Sequence, residues 1–174
     1  MKKGSRGFSL IELLIVVAII LIIAAIAIPN LLRSRIAANQ ASAVGSLRTL
    51  NTAEVTYSTT YNTGYSATLS DLGPPAASTP TPTASAAGLI DEVLSGIGSA
   101  GGTATTLDTS QKSGYQFVYT PGPTTGTAIT TYTITASPIS PGTTGTNYYF
   151  TDQSGVIRQN STTTASSTDS PLAG

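Results

Sequence analysis

The chain has no cysteine, no histidine and no tryptophan, and charged side chains occupy only 9% of its 174 positions. Lack of cysteine excludes structural disulfides, the usual staple of a small domain displayed in an oxidising compartment. Lack of histidine removes the commonest general base and metal ligand, so neither catalysis nor a cofactor is expected. Charge is scarce in both signs, with eight basic and eight acidic residues. Three of the basic ones, Lys2, Lys3 and Arg6, stand within the first seven positions, leaving five against eight beyond them. A near-neutral or slightly acidic remainder has no cluster of Lys and Arg to grip phosphate, and no direct nucleic-acid contact is expected of a single copy.

What is present is an apolar run. Residues 8–28 contain only two polar side chains, Ser9 and Glu12. A helix of that length covers about 31 Å, enough to cross a bilayer. The hydrophobic part of a cleavable secretory signal is shorter, roughly 7 to 15 residues, and carries no acid. Ala25-Ile26-Ala27 nevertheless forms an A-x-A site at which ordinary secretion would cut.

Glu12 decides between these readings. A charged side chain in hydrocarbon costs about 2.5 kcal/mol or more, so it needs a partner. A cut between Gly7 and Phe8 would create an α-amino group one helical turn from Glu12, able to pair with it in the same chain or across to a neighbouring copy. Pairing across copies would neutralise both charges in a low-dielectric bundle. The plainer alternative is that Glu12 snorkels to the headgroups.

The stretch KKGSRGFSLIELLIVVAII, residues 2–20, closely resembles the N-terminal signature of type IV prepilins and pseudopilins. The resemblance is strong over residues 1–35, weaker to 61 and thin beyond. It implies that Gly7 is the last residue removed by a prepilin peptidase, that Phe8 becomes the N-methylated terminus, that Glu12 is the assembly carboxylate and that Pro29 bends the helix. It further implies a single-pass inner-membrane precursor, in contact with lipid, the peptidase/methyltransferase and an assembly platform. Copies would then pack through residues 8–61 into a helical filament, as an extracellular pilus or a periplasmic pseudopilus. Such filaments serve adhesion, motility, DNA uptake or secretion. The missing cysteines depart from the many family members that close a C-terminal loop with a disulfide.

The expected fold is α+β, a long helix packed on a small antiparallel meander of about four strands. After Pro29 the pattern turns amphipathic, with Ile36, Ala43, Val44, Leu47, Leu50, Tyr57 and Tyr61 at helical spacing. One helix over 8–61, about 80 Å if continuous, fits this pattern, as do two helices meeting at Pro29. The domains expected are a leader (1–7), an assembly helix (8–28), an amphipathic half-helix (29–61), a variable loop region (62–112), a sheet (113–159) and a Ser/Thr-rich tail (160–174). Within the loop region, 89–97 suits a short helix. Strands are expected at 115–120, 128–136, 147–151 and 155–159, the last two joined by the turn Asp152-Gln153-Ser154-Gly155. The tail is expected to be disordered or a surface lasso.

Three further groupings have plain readings. Asp91 and Glu92 suit a solvated face better than a catalytic pair. Asp152 and Asp169 suit a turn cap and a solvated acid better than a calcium site, for lack of an Asp-x-Asp pattern. Tyr57, Tyr61 and Tyr65 suit helix-to-sheet packing. The reading is therefore a structural filament subunit, against a secretion-system pseudopilin, a signal-anchored periplasmic binding module that never polymerises, and a secreted enzyme.

Overall fold

A computed structural model describes residues 8–78, 80–97, 109–126 and 128–172. The chain divides into two compact units, Met1–Arg35 and Ile36–Gly174. One helix, α1 (Leu10–Tyr61), supplies elements of both and runs through Pro29 without interruption. Pro29 has no N–H to offer, so the Ala25 carbonyl loses its helical donor, a cost the flanking turns absorb without the chain breaking into two helices.

In the second unit, α1 turns one stripe inward. Ala43, Val44, Leu47, Leu50, Ala53 and Tyr57 are buried, while Ile36 and Tyr61 at its ends are half-buried. The stripe packs with Tyr115, Phe117, Tyr119, Tyr132, Ile134 and Tyr149 of a five-stranded antiparallel sheet in one hydrophobic core. The strands are β1 (Thr109–Lys112), β2 (Tyr115–Pro121), β5 (Tyr132–Pro138), β6 (Tyr148–Asp152) and β7 (Arg158–Asn160), paired in that order. A two-stranded ribbon of β3 (Thr124–Thr125) and β4 (Ala128–Ile129) stands apart. β5 shows the cause of its own placement: Tyr132, Ile134 and Ala136 face the core and alternate with half-buried Thr133, Thr135 and Ser137. Asn51 joins helix to sheet through polar groups, donating to Thr151 Oγ1 at 2.9 Å and accepting from Tyr132 Oη at 3.0 Å.

Four details differ from the sequence expectations. The sheet has a fifth strand, β1, hairpinned onto β2 through Ser113 and Gly114, both at positive φ (51° and 74°) as a two-residue turn of this hand requires. The expected strand 128–136 is two strands. Ile129 is drawn away by the loop after α1, donating to Thr63 O and accepting from Tyr65 N, before the chain turns back into β5. The last strand begins at Arg158 rather than at 155, because Asp152 to Gly155 and the residues after it form the turn.

The short helix is α2 (Leu69–Leu72), opened by a capping box between Thr68 and Asp71, whereas 89–97 is a run of turns. There Ala87, Gly88, Leu89 and Ile90 spend their N–H groups on carbonyls of Asp71, Leu72 and Gly73. Asp91 then caps a single turn through the Leu94 N–H, and Gly96 at φ 82° ends it. Ile90 and Leu94 still reach the core.

The tail folds back as a lasso over residues 160–172. Leu172 N donates to Ile157 O and Gln159 N to Ser170 O, so the tail covers the free edge of β7. Asp169 fastens it, accepting from Ser166 N at 2.7 Å and Asn160 Nδ2 at 2.9 Å, while Arg158 Nη1 reaches the Asp169 carbonyl. Backbone pairing and one carboxylate thus do the work of a disulfide.

Candidate functional site

The first unit is the N-terminal part of α1. Isoleucine is its commonest residue, a β-branched type that loses rotamer freedom in a helix, yet lipid leaves a single segment no other way to satisfy its backbone. Its large apolar side chains point outward on every side, with exposures from 46% at Val17 to 80% at Leu10. Such a helix is hydrophobic all round rather than striped, the pattern of a segment meant for lipid or for burial on all faces. It is long and apolar enough to cross a membrane.

Glu12 occupies the third position of this helix, after Ser9 as its N-cap. Its Oε2 accepts from the Ser9 N–H at 2.9 Å, half of a capping box that satisfies a donor the helix leaves open. Among the described residues Oε1 has no partner, and the next basic residue after Glu12 in the chain is Arg33. Of the residues singled out in sequence, Phe8 and Glu12 therefore stand within one turn of each other, both exposed. Pro29 lies inside α1, apart from them, and Gly7 lies outside the described residues.

Asp152 and Asp169 are each taken by local N–H groups, of Ser154 and Ser166. Asp91 pairs with Lys112 at 2.7 Å. No group of three His, Cys, Asp or Glu side chains able to hold a metal occurs among the described residues. Tyr57 packs on Tyr61 with centroids 4.9 Å apart, and Tyr65 meets Tyr132 edge-on at 4.7 Å.

Glu54 escaped the sequence reading. It is fully buried on α1, where its Oε2 accepts from Ser66 N at 3.0 Å and its Oε1 from Ser66 Oγ at 2.6 Å. Tyr119 Oη donates to Ser66 O at 2.7 Å and closes the cluster. Burial pushes the Glu54 carboxyl above its ordinary range, against the pull of the Ser66 bonds, and nearby Asp71 adds to the rise. An acid on the core stripe of an amphipathic helix was the available signal.

The model of the prokaryotic N-terminal methylation motif matches residues 2–28. The type IV major pilin protein PilA of Myxococcus xanthus is 51% identical over 53 residues, 30% of this chain and 24% of that protein. The type IV wide pilus major component PilA4 of Thermus thermophilus is 62% identical over 37 residues, 21% of this chain and 28% of that protein. The chain thus spans about a quarter of the length of these curated relatives. No solved structure matches it. The likeness to these pilins thus lies in the N-terminal part of the chain, where the methylation motif leads into the apolar α1, with an antiparallel sheet beyond.

Proposed function

We propose that the chain is a non-catalytic structural subunit of a type IV pilus, made as a single-pass inner-membrane precursor, cut between Gly7 and Phe8, N-methylated on Phe8 and polymerised through α1. The observation that carries this reading is Glu12, one acid with an uncommitted oxygen on a helix otherwise apolar on every side.

Exchanging lipid for neighbouring helices changes the surroundings of Leu, Ile and Val little, since lipid tails are as apolar as they are. The apolar surface therefore holds the helix in either place without choosing between them. A carboxylate and an amine that meet only between copies do choose, because each is costly alone and cheaper together. The likeness to two pilus components favours an extracellular pilus over a periplasmic pseudopilus.

Mass spectrometry of the N-terminal peptide from native cells tests the processing. The expected peptide begins at Phe8 and is one methyl group heavier than its sequence. A start at Ile28 would mean ordinary secretion of a soluble domain, and an intact Met1 a permanent anchor. Either would overturn the reading.

A further inference from the structure

A cleft of about 380 Å³ opens on the sheet face turned away from α1, where β2, β5 and β6 meet the tail. The register sets Thr120, Thr133 and Asp152 in one row across three strands, about 5 Å apart from strand to strand. Thr131, Gln153 and Ser167 complete a polar rim, and Phe150, buried but outside the main core, forms an apolar wall.

The polar groups of the cleft are uncommitted, unlike the threonine hydroxyls on the exposed face of α1. On α1 the hydroxyls of Thr49, Thr52 and Thr56 are spent on backbone carbonyls of the preceding turn, at 3.1, 2.9 and 2.9 Å. In the cleft, the hydroxyls of Thr120, Thr131, Thr133 and Ser167 and the Gln153 amide bond to no other described residue. Asp152 commits one oxygen, Oδ1, to the Ser154 N–H and keeps the other free. Five neutral donor-acceptor groups and one carboxylate oxygen thus converge on a concave surface within the size range of small-ligand sites.

The composition selects the ligand. No Lys or Arg lines the cleft, which disfavours phosphate, sulfate or a uronic acid. One half-used carboxylate falls far short of the six to eight oxygens that calcium takes. The hydroxyl and amide rim would leave a purely apolar ligand facing unpaired polar groups. What remains is a neutral polyhydroxylated molecule, whose hydroxyls both donate and accept and whose C–H faces suit an aromatic wall. We infer that this cleft binds a neutral saccharide, engaging one or two pyranose units through Thr120, Thr133, Asp152 and Gln153.

The inference does not rest on the filament reading, and its test uses unassembled chain. Full-length protein in a zwitterionic, sugar-free detergent is titrated with maltotriose, cellotriose and chitotriose, followed by backbone amide NMR. Saturable binding of at least one, with a dissociation constant of about 1 mM, is expected, with shifts centred on Thr120, Thr133 and Gln153. The double variant Thr133→Val and Gln153→Ala, both outside the main core, should keep the remaining spectrum and bind about tenfold more weakly. No saturable binding of any of the three at about 10 mM, equal binding by the double variant, or a preference for Ca²⁺ or an acidic trisaccharide would overturn the assignment.

Discussion

A Glu12→Ala chain is expected to reach the membrane, lose its leader and form no filaments. The substitution makes insertion easier, since it removes a charge costing about 2.5 to 3.5 kcal/mol in the helix centre and less near its end. Poor insertion therefore cannot explain the loss. What the variant lacks is the partner for a neighbour's Phe8 amine, and breaking a buried pair from one side costs about 3 to 5 kcal/mol. A filament repeats that penalty at every subunit, so a drop in affinity of about a hundredfold to a few thousandfold per contact becomes absence of polymer. Glu12→Gln should fail in the same way, because a neutral amide keeps the shape and cannot answer the charge. Shearing filaments from cells and comparing them with the membrane-bound pool reads both quantities. Wild-type filament abundance with Glu12→Ala would remove Glu12 from assembly.

The second large effect concerns Glu54. Truncation to alanine strands the Ser66 N–H in the core and opens a cavity, an expected loss of about 2 to 3 kcal/mol. Glu54→Gln keeps the volume and an acceptor for Ser66 without burying a charge, and should be at least as stable as the parent at neutral pH. The pH dependence carries a definite sign. The folded carboxyl binds its proton more tightly than the unfolded one, whose ordinary value is 4.5. Its stabilising contribution is complete below that value and is lost as pH rises through the folded one. The Gln variant lacks this loss, so its advantage should grow as pH rises from below the ordinary carboxyl value through the raised, folded one. Asp91 and Asp169, both held below the ordinary carboxylate range, lose stability as pH falls, but they do so in both chains and cancel in the difference. Asp91 is lowered by its bonds to Lys112 and the Leu94 N–H against the opposing effect of burial, and Asp169 chiefly by the Ser166 N–H. Denaturant unfolding followed by tyrosine near-UV circular dichroism measures this difference. A gap that stays constant over that range would contradict the buried-acid account.

The pattern of what sequence could reveal follows the range of each interaction. The helix was legible because its cause is local: an apolar run long enough for a bilayer, then an apolar stripe at helical spacing. Glu12 was legible for the same reason, being one acid where none belongs. β5 announced itself through strict alternation. β1 reads Thr-Ser-Gln-Lys with a single β-branched residue, and only its pairing with β2 makes it a strand. The split near Ile129 depends on a loop more than sixty residues earlier, a distance at which composition is silent. α2 could have been found, since Thr68 and Asp71 have the capping-box spacing, but four residues make no periodicity. Glu54 could have been noticed as an acid on the core stripe, but its partners, Ser66 and Tyr119, come together only after the sheet has formed on the helix.

The central claim is a contact between copies, and a helical reconstruction of isolated filaments by electron cryo-microscopy tests it most directly. The account predicts residues 8–28 bundled in the filament core, with the Phe8 nitrogen of one copy within ion-pair distance of the Glu12 carboxylate of the next. Filaments whose core excludes that segment, or in which Glu12 faces no amine, would contradict it.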